Sequence, residues 1–328
     1  MFFKNTYLQI SRKYIIGLIF KWLVIIMSYG FIIYKIASDN SLSNFLWYIQ
    51  NITYKFSGIL FLVFALMFIN WSIESYKWKL IVSKFEIISL KLALKAVFSG
   101  ITFGIFTPNR IGELAGRVFV LKSENKAKGL SASIISSLGQ SVITFTFGII
   151  SLLLIAENKL FATKLLNSNS SLILFFGLFF FTILINIVFF NFNKFSVFIL
   201  RFSFFSKYKT QVDFINNYSG KDLLKVLSIC LLRYMVYVSQ YFLLLKFFGV
   251  EIDIFSAYIS ISATFMIVSI IPSIVLADFG IRGSVSLFIL GVFTNSDAGI
   301  ISAAFLLWLI NLVIPSIIGS FLIFKTKI

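Results

Sequence analysis

The residues TPNRIGELAGR, Thr107 to Arg117, follow an apolar run and bring together a proline, two glycines, two arginines and a glutamate. How they are read decides the fold. If the apolar segment before them, about 91–106, crosses a bilayer, then Arg110, Arg117, Lys122, Lys126 and Lys128 end opposite Lys77, Lys79, Lys84, Lys91 and Lys95. Connections on the cytoplasmic side carry the excess of Lys and Arg in membrane proteins. A re-entrant or membrane-surface hairpin keeps both groups on that side. Pro108 supports a break, because it cannot continue a helix and biases Thr107 away from helical geometry. Asn109 then suits an N-cap, and Ile111 to Val120 can run as a second helix.

Composition makes the lipid setting secure. Hydrophobic residues form 59% of the 328 and charged residues 12%, where a soluble domain carries roughly half and a quarter. Full spans are expected at about 15–36, 57–73, 130–156, 171–191, 223–248 and 299–324, since each run approaches the roughly 20 residues that cross a bilayer as a helix. The first is too long for a signal-peptide core and is read as a retained span, with Lys21 snorkelling toward the cytoplasmic face. Lys4, Arg12 and Lys13 put the N-terminus in the cytoplasm. There is no histidine and a single cysteine, Cys230, read as a small apolar packing residue. That excludes an internal disulfide, a Cys/His zinc site and a Ser-His or Cys-His pair. The net charge of +17 is assigned to cytoplasmic loops and anionic lipid headgroups, not to nucleic acid.

The second half repeats the layout. The 192–222 connection holds Lys194, Arg201, Lys207, Lys209 and Lys221 and is read as cytoplasmic, as are Lys325 and Lys327. The topology closes only if about 254–292, interrupted by IPSIVLADFGIRG (Ile271 to Gly283), enters from the outer face and returns to it. The expectation is an all-α polytopic bundle, a single unit 1–328, of six spans and two re-entrant hairpins. Pro108 and Pro272 stand 164 residues apart, half the chain, which suggests inverted halves at about 1–164 and 165–328. Inverted repeats with broken helices meeting near the midplane are a transporter architecture.

Several side chains stand out. Arg110, Glu113 and Arg117 share one helical face by their three- and four-residue spacing, and Gly112 and Gly116 form a small-xxx-small pair for close helix approach. They make either an ordinary loop with surface ion pairs or part of a headgroup site. Asp278 and Arg282, four apart around Gly280, either line a polar site with the first hairpin or satisfy each other at the outer interface. Arg233 lies in mid-span, in one stripe with Tyr237 and Gln240. It either holds a phosphate by its fork or pairs structurally with Asp278. Ser136, Ser137 and Gln140 read as helix-packing residues. No nucleotide-binding or metal-ligand signature is present, so no cofactor is expected.

At these residues the chain resembles the lysylphosphatidylglycerol synthase transmembrane family, also called the flippase-like domain family. The family's first hallmark, a proline followed by Gly-Glu and an arginine, is matched by Pro108, Gly112, Glu113 and Arg117, and a small-residue span follows as GLSASIISSLGQSVITF. The second is matched by Pro272, Gly280, Ile281 and Arg282. Gly283 stands where the family has a glutamate, SIVLAD replaces a glycine-rich turn, and Ser137 and Gln140 replace an acidic-basic pair. The resemblance implies the membrane half without the soluble synthase domain, and translocation of a phospholipid or lipid-linked precursor between leaflets of the cell membrane. Arg110, Glu113, Arg233 and Arg282 would then form a groove for the headgroup. Two other functions stay open. One is a polyprenyl- or glycolipid transferase using acidic loop residues among Asp39, Glu157, Glu251, Asp253 and Asp297. The other is a scaffold recruiting a partner synthase, and a homo-oligomer also stays open.

Overall fold

The computed structural model describes residues 54–156, 168–191, 217–273 and 275–324. Expectations for the first span, Lys21, Asp39, Glu157, most of the 192–222 connection and Lys325 and Lys327 lie outside the described residues. The described chain is helical throughout: α1 (Tyr54–Val82), α2 (Leu90–Ile105), the short α3 (Gly112–Val118), α4 (Lys126–Ala156), α5 (Ser168–Phe190), α6 (Gly220–Phe247), α7 (Ile254–Ile270), α8 (Val275–Leu290), α9 (Asp297–Trp308) and α10 (Ile314–Phe324). A π-helical turn, Leu309–Val313, joins the last two into one rod. No strand occurs among the described residues.

Among the described residues, four stretches are long and apolar enough to cross a membrane: Gly58–Val82, Ser123–Ala156, Gly220–Phe247 and Asp297–Ile323. By contrast α2, α7 and α8 have 16, 17 and 16 residues, short of the roughly 20 that a full span needs. Local chemistry fixes the ends. Ser89 accepts from the Leu92 amide at the start of α2, and a reciprocal Ser219–Asp222 capping box opens α6.

Glycines set the closest packing. On α2, a Cβ at Gly100 would lie 2.7 Å from Arg117 Cγ; on α3, one at Gly116 would lie 2.8 Å from the Gly100 Cα and the Ser99 carbonyl. The two helices therefore meet backbone to backbone as a tight hairpin, the arrangement that small-xxx-small spacing permits. Helix α10 closes on α2 in the same way, with Gly319 against the Phe98 carbonyl and Thr102 Oγ1 donating to the Ser316 carbonyl at 2.8 Å. Helix α7 packs on α4, with Gly148 facing Met266. Helices α1 and α6 run together through the middle, where Gln240 Nε2 donates to the Val63 carbonyl at 2.8 Å.

Three details differ from the sequence reading. The span expected at 57–73 continues as helix to Val82, so Glu74 and Lys77 are wholly buried helical residues, not part of a connection. They can be there because they neutralise each other at 2.8 Å, one turn apart. Asn109 is not an N-cap: it and Arg110 adopt positive φ, 51° and 57°. The α3 N-terminus is capped instead by Thr107, whose Oγ1 accepts from the Gly112 amide at 2.7 Å. The third difference is length, since α3 ends at Val118 and spans only seven residues.

Candidate functional site

The turns that follow the two prolines touch each other. The Asn109 amide donates to the Ser273 carbonyl at 2.9 Å, and the Ser273 amide donates back to Asn109 Oδ1 at 3.0 Å. Left-handed geometry at Asn109 aims both groups across the gap, and asparagine tolerates that geometry better than most residues. This two-way clasp joins the α2–α3 turn to the α7–α8 turn.

Behind the clasp lies a buried ion chain centred on Glu74, which is 1% exposed. One carboxylate oxygen accepts from Arg117 Nη1 at 2.7 Å. The other lies 2.8 Å from Lys77 Nζ and 3.3 Å from Arg233 Nη1. Arg117 reaches on to Glu113 through its second nitrogen, and Glu113 meets Arg110 at 3.3 Å. Arg110, Glu113, Arg117, Glu74 and Arg233 are therefore linked hand to hand from the hairpin tip to α6. Aromatic faces shield the chain: the Arg117 guanidinium lies 5.8 Å from the Trp78 ring centroid and the Arg233 guanidinium 5.2 Å from that of Trp71. Such cation–π contacts gain strength when desolvated.

The open end of this chain borders a cavity of about 380 Å³. Arg110 from the first turn, Arg233 from α6 and Arg282 from α8 converge on it, with side chains 35%, 21% and 19% exposed. Arg233 Nη1 donates to Gln140 Oε1 at 3.2 Å, and Arg282 Nε donates to Asp278 Oδ2 at 3.0 Å. Asn70 and Asn311 supply amides to the floor, and Tyr237 stacks on Phe265 at the wall, with centroids 4.8 Å apart.

Of the residues singled out from the sequence, Arg110, Arg233, Tyr237, Asp278, Arg282 and Pro272 border the cavity. Glu113 and Arg117 stand behind it in the ion chain. Gly112 and Gly116 carry the hairpin contact, with Gly112 against the Phe103 carbonyl, while Pro108 opens the turn and Gly280 lies within α8 between Asp278 and Arg282. Gln240 does not reach the cavity. It is fully buried and accepts from Asn311 Nδ2 at 3.0 Å, while Asn311 Oδ1 accepts from Asn70 Nδ2 at 3.3 Å. The alternative pairing of Arg233 with Asp278 is not formed: Arg233 takes Glu74, and Asp278 takes Arg282 within its own helix. Ser136 and Gln140 do more than pack, since Ser136 Oγ lies 3.4 Å from Arg117 Nη1 and Gln140 holds Arg233.

Glu74, Lys77, Asn70 and Asn311 were not anticipated. A signal was available for the first two: the apolar pattern resumes beyond them at Trp78, Ile81 and Val82, as a continuing helix would show. Asn311 offered only a lone amide in an apolar run. In the structure it sits on the π-helical turn, a feature frequent at functional positions.

Residues 18–319 match the family model described as the lysylphosphatidylglycerol synthase TM region. No curated protein matches the chain. With that match over nearly its whole length, the chain belongs to the lysylphosphatidylglycerol synthase transmembrane-region family and is a multi-pass membrane protein.

Proposed function

We propose that the protein translocates a phospholipid or lipid-linked precursor between leaflets, with the headgroup passing through the cavity while the tails stay in the bilayer. The observation that carries this reading is the convergence of Arg110, Arg233 and Arg282, from three separate elements, on one cavity beside the clasped turns. Charge at membrane depth is costly and is retained where it meets a substrate path. Guanidinium forks match phosphate oxygens in pairs. The two helical pairs, α2–α3 and α7–α8, act as re-entrant hairpins in a bundle of six spans, with both termini in the cytoplasm. Their short helices and the alternation of basic connections support this topology. The halves, about 1–164 and 165–328, are related by inversion. The clasp residues Asn109 and Ser273 stand 164 apart, as the two prolines do, and α2 packs on α10 as α7 packs on α4.

The test is reconstitution of the full chain into liposomes carrying a fluorescent phospholipid, with dithionite reporting the outer leaflet. Lipid exchange should exceed that of protein-free vesicles and fall in Arg233→Gln. Exchange no faster than in protein-free vesicles, across phospholipid and polyprenyl probes, would overturn the reading.

A further inference from the structure

The charge balance around the cavity narrows the headgroup. Among the described residues, Lys77, Arg110, Arg117, Arg233 and Arg282 face Glu74, Glu113 and Asp278 in one connected neighbourhood. Five cations meet three carboxylates, and two positive charges stay unmatched. A positive charge partly withdrawn from water and left unmatched is unfavourable, which favours an anion from outside the chain at this place.

The contacts show where the surplus lies. Lys77 and Arg117 hold Glu74 at 2.8 and 2.7 Å, whereas Arg233 stands off from it at 3.3 Å. Arg110 likewise meets Glu113 at 3.3 Å. The Nε atoms of Arg110, Arg117 and Arg233 are all buried without a hydrogen-bond partner among the described residues, so it is the longer carboxylate contacts that set Arg110 and Arg233 apart. Both loosely held guanidiniums border the cavity, and Lys77 and Arg117, which hold Glu74 tightly, lie behind it. Arg282 borders the cavity too, engaging Asp278 through Nε.

We infer that the cavity takes a lipid headgroup whose phosphate carries close to two negative charges and which bears no amine: a lipid phosphate monoester or diphosphate. This rests on the translocation reading above and names its substrate class. A monoester near neutral pH carries about 1.5 to 2 negative charges and offers oxygens to two forks at once. A phosphodiester brings one charge and leaves one cation unmatched. An aminoacylated or other ammonium headgroup fares worse. Asp278, the carboxylate at the cavity wall, is already taken by Arg282, and the Trp71 face that would accept an ammonium is covered by Arg233. The cavity's volume is at the small end of the roughly 300–1,000 Å³ of ligand pockets, which suits a headgroup without its tails.

The test is a binding competition on the purified full chain in nanodiscs, read by native mass spectrometry. The probes are phosphatidic acid, phosphatidylglycerol, lysyl-phosphatidylglycerol and inorganic phosphate. Phosphatidic acid should bind about tenfold tighter than phosphatidylglycerol, the difference made by one added charge-assisted contact, and lysyl-phosphatidylglycerol should bind weakest. Arg233→Lys, which keeps the charge and loses the fork, should reduce that preference. Equal or tighter binding of either diester overturns the inference on the wild-type chain alone, whatever the variant does. Inorganic phosphate displacing phosphatidic acid at matching concentration overturns the lipid assignment in favour of the free ion. Selective binding without lipid exchange in the vesicle assay would support this charge assignment while overturning translocation. Exchange without selectivity would do the reverse.

Discussion

Glu74→Gln isolates what the ion chain contributes to the fold. The substitution keeps the shape of the side chain and one acceptor oxygen but removes the carboxylate that Lys77, Arg117 and Arg233 share. Both short contacts, at 2.7 and 2.8 Å, involve partners no more than 5% exposed, so water cannot replace what is lost. One of them must then face an amide NH2, donor against donor. Removing one partner of a buried pair costs about 3–5 kcal/mol, and the retained oxygen returns one charge-assisted hydrogen bond of about 1.5–3 kcal/mol. The difference between the two leaves an expected loss of about 2 kcal/mol. Equilibrium unfolding in mixed micelles, read by tryptophan fluorescence, measures it, with Trp71 and Trp78 on the same helix as reporters. Lys77→Met should be destabilising in the wild type and neutral or stabilising in the Glu74→Gln background, giving a coupling of about 2 kcal/mol. A loss below about 1 kcal/mol in Glu74→Gln, with additive effects in the double variant, would refute the reasoning.

Three further outcomes follow from contacts elsewhere. Gly319→Ala should destabilise strongly, by about 2 kcal/mol or more, because its Cβ meets the Phe98 carbonyl backbone; Gly129→Ala should cost less, since its Cβ meets side chains and no backbone, Leu121 Cδ1 at 2.5 Å and Val118 Cγ2 at 3.2 Å. Thermal melts of the two variants side by side decide this, and equal losses would contradict it. Asn311→Leu should lower stability by about 1–3 kcal/mol by stranding Gln240 Oε1 and Asn70 Nδ2; recovery on adding Gln240→Leu and Asn70→Leu would identify the stranded amides as the cause. A cysteine pair at Asn109 and Ser273, cross-linked with added oxidant, should slow lipid exchange reversibly with reductant, read by gel shift and the vesicle assay. Unchanged exchange in the fully cross-linked protein would mean that the turns need not part.

Much of the helical plan was legible because its signals are local. Apolar runs, Pro108 and Pro272 gave the long helices and their breaks. Arg110–Glu113, Glu113–Arg117 and Asp278–Arg282 pair at helical spacing, as neighbours along one face do. What joins these pieces was not legible. Glu74 meets Arg117 across 43 residues, Arg233 meets Gln140 across 93, and Asn109 meets Ser273 across 164. No period in a sequence records such distances. Glu74 was hidden for a further reason: hydropathy scores SIESYKWKL as the end of a span, because it counts each charge as if exposed to lipid.

The choice of asparagine at 109 is intelligible only across that gap. Glycine would fit a φ of 51° with less strain, and a reading of the turn alone would favour it. Glycine has no Oδ1 to accept from the Ser273 amide, however, so one half of the clasp would be lost. Alanine would lose the acceptor and add backbone strain. The residue is set by the opposite turn as much as by its own, in the same way that Arg233 is set by a carboxylate on α1 and an amide on α4. Asn109, Arg233 and Asn311 each belong to a contact between distant segments, so their identities become interpretable once those segments are seen together.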